Sequence, residues 1–341
     1  MKVEHFDYLD GWRGLAIGFL LIGHFFPVPG INFGTFGVNL FFVLSGWLMS
    51  RLLFVKDTPI ATFYKRRISR VFPAHFVFIA AVVAWFLLTQ RKVAWSEVAA
   101  AALFVNNYFS GELGRAAMPF GHIWSLAVEE HSYILLSLVA LASRRRLVDP
   151  MIATACLAAL FALTGVWYWT QYSGAELDFG KWIHTEVSAY GIFVSAFLML
   201  VFRRFGTPTF AAIGYVAVAM FAMAMHWWSV PGPIRTIVGV GALALLVNLL
   251  MASPPIVKSL LSFRPLCTLG TWSFSIYICQ QPFYLYGRRG DLPIWLAFAL
   301  AMVAGLVSFH LIERPIRNYL NRVWAARPQE QHAFNPAANE T

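Results

Sequence analysis

Ten runs of apolar residues, each long enough to cross a bilayer, decide what this chain can become. They fall near 14–29, 37–54, 71–89, 121–143, 150–170, 183–202, 208–228, 234–252, 266–287 and 292–312, and charges or Pro and Gly clusters separate them. Composition agrees, with 59% hydrophobic and 12% charged residues where soluble domains carry about 25% charged. The expected fold is an all-α polytopic membrane protein with about ten transmembrane helices. Segment 94–109 is apolar but short and contains Ser96, Glu97, Asn106 and Asn107, so it reads as a re-entrant or interfacial helix.

The first run holds a histidine. His24 lies roughly 15 Å along a helix from the charged start of that run, near the bilayer midplane. An ionisable group at that depth points to a functional site, and imidazole suits a general base near neutrality. The competing reading is a neutral histidine that bonds two helices together.

Lysine and arginine set the orientation. With the N-terminus inside, the cytoplasmic face collects the basic segment Lys65, Arg66, Arg67, Arg70, the run Arg144 to Arg146, the pair Arg203 and Arg204, and the group from Arg314 to Arg327. Both termini are therefore expected in the cytoplasm, with an even number of spans. The first run is expected to be a retained span and not a signal peptide. Residues 1–327 read as one transmembrane domain, and the polar tail 328–341 as disordered. The net charge of +10 is explained by topology before nucleic acid, which is not expected as a partner. Cys156, Cys267 and Cys279 lack metal-ligand or disulfide spacing. No metal is indicated, and an oligomer is possible but not indicated.

Other polar residues in apolar surroundings are candidate site residues. Asn39 precedes the run Leu40 to Gly46, where small Ser45 and Gly46 would admit another helix. In the basic segment read as an inner loop, Arg67 and Arg70 would share one face of a helical turn and suit phosphate. His122, Ser125, Glu129 and Tyr133 recur at helical spacing as one polar stripe, with Glu130 on another face. Glu129 is about 12 Å deep from the outside, level with His24, so the two could meet. Gln280 and Gln281 fall near mid-depth before Pro282, and His310 and Glu313 form a boundary pair of structural character.

Taken together, these motifs resemble the membrane acyltransferase-3 family of bacterial sugar O-acyltransferases. The matching residues are Asp10-Gly-x-Arg13-Gly with His24, Phe41-Phe-Val-Leu-Ser-Gly46, Arg67-x-x-Arg70 before Pro73, Trp124-Ser-Leu-x-x-Glu129-Glu130 with Tyr133, Leu269-Gly270 with Ser273-Phe-Ser-x-Tyr277, and Glu313-x-Pro315. The resemblance implies a fold of about ten membrane helices in the bacterial cytoplasmic membrane. It also implies a cytoplasmic acyl-CoA donor, acetyl-CoA first, and a hydroxyl acceptor on a glycan or glycolipid. It puts His24 in the catalytic role and Arg67 and Arg70, with Arg13, at the donor. Asp10, Asn39, Trp124, Ser125, Tyr133 and Gln280 become candidate substrate contacts. Two positions depart from the pattern: Asn39 stands where the family often has an acidic residue, and Gln280 where it often has histidine.

Transfer from a thioester to an alcohol needs a base, stabilisation of the carbonyl oxygen and a grip on CoA. His24 is expected as general base or covalent acyl carrier. Glu129 or Glu130 would fix its tautomer or hold the acceptor. The alternative is a proton-coupled secondary transporter with His24 and Glu129 as relay; a non-enzymatic membrane subunit is a third reading. The acyl group and the acceptor are not legible in these residues.

Overall fold

The structure is a computed structural model that describes residues 6–109, 117–171 and 179–325. The tail assigned to 328–341 lies outside the described residues. The helices are α1 Asp7–Phe25, α2 Phe33–Ser50, α3 Ile60–Leu88, α4 Trp95–Ala102, α5 Asn106–Phe109, α6 Trp124–Arg144, α7 Pro150–Gln171, α8 Phe179–Trp182, α9 Thr185–Ser188, α10 Tyr190–Phe205, α11 Ala212–Ala224, α12 Gly232–Ile234, α13 Val240–Leu249, α14 Pro255–Leu261, α15 Arg264–Arg289, α16 Ile294–Ser308 and α17 Arg314–Ala325. Among the described residues the sole β pairing is the isolated bridge between Ile31 and Trp227.

A helix occupies each of the ten apolar runs. Six continuous helical stretches among the described residues are long and apolar enough to cross a membrane: Phe33–Val55, Ile60–Leu88, Gly121–Arg144, Pro150–Gln171, Gly232–Ala252 and Ile294–Trp324. The other four runs fall short for physical reasons. The helices α10 and α11 are short, α1 carries Asp7, Asp10, Arg13 and His24, and α15 carries polar residues of which Ser273, Ser275, Gln280 and Gln281 are buried. Segment 94–109 forms two short helices, α4 and α5, rather than one. The basic segment Phe63–Pro73 is not a loop: it lies within α3, which runs through Pro73 without ending.

Without a hydrophobic drive between helices in lipid, close backbone approach at small residues decides which helices pair. Here α1 packs against α15 at glycines. A Cβ on Gly14 would overlap the Leu266 carbonyl, and one on Gly270 would overlap the Asp10 carbonyl. In the same way Gly37 meets the Ala16 carbonyl to join α2 to α1, and Gly46 meets the Ile192 carbonyl to join α2 to α10. Of the two small residues read as packing positions, Gly46 does that work while Ser45 turns its hydroxyl to Glu129.

The turn between α1 and α2 is tied down at its far end. Asn32 caps α2 by accepting the Thr35 N–H at 3.0 Å, which satisfies a helix-start donor. The Trp228 N–H donates to the Gly30 carbonyl at 2.7 Å, which fixes the segment after α11 to this turn.

The α1–α15 contact generates a test. Gly270→Ala should cost about 1–3 kcal/mol or more, because the added methyl has only backbone to push against. It should lower the melting temperature in detergent, followed by tryptophan fluorescence. Gly18→Ala, on the same α1 with nothing within 4 Å of its Cβ position, should melt like the parent.

Candidate active site

His24 sits on the last turn of α1, half-buried, with its Nδ1 2.9 Å from Oε1 of Gln280 on α15. An amide oxygen only accepts, so with this oxygen facing the ring Nδ1 carries the proton and Nε2 keeps its lone pair. Tyr284, a turn beyond Gln280, stacks on the imidazole with centroids 4.6 Å apart and planes at 23°. The Nε2 edge faces Gly34 in the first turn of α2, where a Cβ would stand 3.3 Å from Nε2. Three neighbours therefore fix the ring: an acceptor behind, an aromatic face beside it and a glycine in front.

A cavity opens on the side of α1 that carries Arg13. Its polar wall is an ion cluster. Arg67 of α3 donates from Nε to Glu130 Oε1 at 2.7 Å and from Nη2 to Glu129 Oε2 at 3.0 Å, both carboxylates being on α6. Ser45 donates to the other oxygen of Glu129 at 2.8 Å, and the Tyr133 hydroxyl adds a bond of 3.1 Å. The guanidinium lies over the Tyr133 ring, 4.0 Å from its centroid. All three charged side chains are 12–13% exposed. One guanidinium between two carboxylates leaves a formal charge of −1, and two further cations share the cavity. Arg13 is paired with Asp10 at 2.6 Å, while Arg70 has no ion pair among the described residues.

The inner end of this cavity is closed by Ser125 and Tyr277, whose hydroxyls lie 2.6 Å apart. Tyr277 also donates to the His122 carbonyl; its single proton is thereby used, so Ser125 is the donor of the pair. Tyr277 precedes Gln280 by three residues, so the cavity stops about 4.5 Å along α15 short of the residue that holds His24.

A second cavity lies at the other end of α2. Trp124, Trp169, Trp182, Trp228 and Tyr190 give it an aromatic lining. Asn39 donates from Nδ2 to His226 Nε2 at 3.3 Å, because His226 Nδ1 is already bonded to the Ala222 carbonyl at 2.7 Å. Asn32 and Thr35, on either side of the Gly34 that meets His24, also line it. Phe42 belongs to both cavities and stands edge-on to Trp124, so this pair forms the partition between them.

The sequence-derived candidates thus separate. Arg13, Arg67, Arg70, Ser125, Glu129 and Tyr133 line the first cavity, and Asn39 and Trp124 the second. His24, Gln280, Asp10 and Glu130 line neither. Several expectations need correction. Glu129 and Glu130 do not reach His24: both are bound by Arg67. Ser45, which donates to Glu129, lies roughly 16 Å along α2 from the Gly34 that meets the ring, so Glu129 and the histidine are not level. The side chain at Nδ1 is that of Gln280. Arg67 and Arg70 do not act as a pair either, since Arg67 is occupied by carboxylates. Glu313, expected beside His310, instead accepts from Ser275 at 2.7 Å and from Arg317 at 2.9 Å. Tyr284, Trp169, Trp182, Trp228, His226 and Arg235 were not anticipated. The tryptophans had a sequence signal, clustering at the ends of apolar runs, but that pattern also describes an interfacial belt.

Comparison with known proteins adds an independent line. The family model Acyl_transf_3, described as an acyltransferase domain, matches residues 6–314. The O-acetyltransferase OatA of Staphylococcus aureus strain MRSA252 is 25% identical over 360 residues, covering 96% of this chain and 59% of the relative. The putative peptidoglycan O-acetyltransferase YrhL of Bacillus subtilis is 24% identical, with 96% and 57% covered. The peptidoglycan O-acetyltransferase OatA of Listeria monocytogenes is 23% identical, with 91% and 55% covered. The chain therefore spans between half and two thirds of the length of these relatives. No solved structure matches it significantly.

The ion cluster gives a prediction independent of chemistry. Arg67→Ala strands two buried carboxylates and should cost about 3–5 kcal/mol, seen as loss of monodisperse protein in detergent. Adding Glu129→Gln and Glu130→Gln should restore most of the melting temperature, because the stranded charge is then gone.

Proposed function

The chain belongs to the acyltransferase-domain family, and from that premise we propose that it is an O-acyltransferase of the bacterial cytoplasmic membrane, moving an acetyl group from acyl-CoA to a hydroxyl of a glycan or glycolipid. The observation that carries this reading is the setting of His24: a ring of fixed tautomer against Gly34, whose neighbours Asn32 and Thr35 line the aromatic cavity. The chain is an integral multi-pass membrane protein. The proposed topology has ten helices in the membrane, both termini in the cytoplasm and residues 1–327 as one domain, which follows from the distribution of Lys and Arg.

In this topology the first cavity faces the cytosol and takes the donor. Arg70 and Arg13 line it, and exposed Lys65 and Arg66 precede Arg70 on α3 by about one turn, so CoA phosphates meet positive charge there. Arg67 contributes indirectly, holding Glu129 in the wall. The second cavity takes the acceptor, since indole faces and scattered amide and hydroxyl groups suit a sugar ring.

The acceptor hydroxyl gives its proton to His24 Nε2 as its oxygen attacks the thioester carbonyl; the C–S bond then breaks and the CoA thiolate takes the proton back. The Gln280 oxygen stabilises the imidazolium through Nδ1–H. The first-turn N–H groups of α2 at Phe33 and Gly34, beside the ring, are placed to bond the developing oxyanion, because helix-start amides lack intrahelical partners. If His24 itself takes the acyl group, the same neighbours serve, and the second step is attack by the acceptor on acyl-imidazole. A proton relay between His24 and Glu129 has less support: Glu129 is held by three donors of its own. The relatives' names speak of O-acetyl transfer and of peptidoglycan. Only the transferred group and the class of acceptor are carried over.

Acetyl-CoA turnover by protein in lipid nanodiscs tests the reading. His24→Ala should lose about 10²–10⁴-fold in rate, the usual contribution of a general base. Gln280→Leu should lower kcat with KM for acetyl-CoA unchanged, because it frees the tautomer without touching the donor cavity. Unchanged turnover in His24→Ala would remove the ring from the chemistry.

A further inference from the structure

The aromatic cavity contains a cation that no carboxylate balances among the described residues. Arg235 opens the π-helical turn Arg235–Gly239, and its guanidinium stands 5.3 Å from the ring centroid of Trp169 and 5.1 Å from that of Trp228. The clamp is built. Trp169 donates from Nε1 to Thr236 Oγ1 at 3.1 Å, and its ring lies where a Cβ on Gly232 would be. Among the described residues no carboxylate pairs with Arg235 and no hydrogen bond uses its donors. Ring faces stabilise the cation, yet they leave five N–H donors in the guanidinium plane unspent.

A second unspent donor lines the same cavity. Trp182 Nε1 is buried with no partner among the described residues, although buried indole N–H groups are normally bonded. Asn39 bonds His226 through Nδ2, and the Ser188 hydroxyl donates to the Trp182 carbonyl at 2.5 Å. Among the described residues that line the cavity, no carboxylate accompanies Arg235. An arginine that merely reaches for water at a membrane surface would extend away from the protein. This one is held in the wall between two indoles.

We infer that the second cavity binds an acidic sugar unit, its carboxylate on Arg235, a ring or hydroxyl oxygen on Trp182 Nε1, and its apolar face on the tryptophans. A neutral sugar would fill the same volume but leave the guanidinium unpaired. A planar carboxylate matches the guanidinium fork in two parallel bonds. The inference rests on the acyltransferase reading in one respect, that the ligand is the acceptor; binding itself is measured without any acyl donor, so the two can fail separately.

The experiment uses the full chain in phosphatidylcholine nanodiscs, with tryptophan fluorescence quenching as readout. The probes are oligosaccharides of galacturonic acid and of galactose, which differ in a C6 carboxylate against a hydroxymethyl group. The wild-type protein should bind the acidic probe at least about tenfold more tightly, as expected for one charge-assisted bidentate pair. Arg235→Gln should remove that preference in protein whose melting temperature stays that of the parent. Trp182→Phe should weaken both probes alike. Equal or absent binding of the two probes by the wild type, or a preference that survives Arg235→Gln, overturns the inference. So does a preference that vanishes when anionic phosphatidylglycerol replaces phosphatidylcholine, which would assign the guanidinium to a lipid phosphate.

Discussion

The pairing of α1 with α15 through glycine is the contact on which the site depends. Gly14 and Gly270 meet backbone to backbone, and ten residues further along each helix His24 and Gln280 meet side chain to side chain. The offset in sequence is the same at both levels because the helices run in the same direction and rise equally per residue. A register set by glycine about 15 Å away thus delivers an amide oxygen to Nδ1 within hydrogen-bond distance. Lipid supplies no force to correct a slipped helix, so the precision of the ring is inherited from packing.

Charge inside the protein is organised on a separate principle. The carboxylates of α6 are balanced by a guanidinium from α3 that also lies on an aromatic face, and two hydroxyls complete the coordination of Glu129. Such a cluster cannot easily change protonation partners, because Arg67 holds both carboxylates, both oxygens of Glu129 are bonded and the charges have little water around them. It is a rigid wall between α2, α3 and α6. The histidine has a neutral amide for company instead, so its proton affinity is not tied to a fixed counter-ion. This division of labour keeps the strongest electrostatic contacts in the scaffold and leaves the titratable ring free to exchange a proton.

The sequence made the helices legible and hid their relative heights. Apolar runs placed the helices, but counting residues from each entry put His24 and Glu129 at one level, whereas the first meets Gly34 at the start of α2 and the second Ser45 near its end. Counting fails because it assumes that every helix starts at the membrane surface. The stripe of Ser125, Glu129 and Tyr133 does face one cavity. Gln280 stands out as an amide before Pro282 and as a departure from a family pattern, but neither feature says which ring it would meet. The aromatic cavity was harder still. Its walls come from the ends of α7 and α10, from α8, and from the turns around Trp228 and Arg235, segments too short for periodicity to register. The π-helical turn that presents Arg235 has no sequence signature at all.

The partition between the cavities has a consequence for the proposed transfer. Phe42 and Trp124 meet edge to face at 5.9 Å and separate a basic chamber from an aromatic one. An open passage between them would admit water to the thioester, and water at high concentration competes with any glycan hydroxyl. Excluding it matters as much as binding the correct alcohol. His24 lies to one side of this partition, half-buried, with Nε2 against the backbone of Gly34. On the proposed reading the acceptor approaches the lone pair from the aromatic chamber, near Asn32 and Thr35.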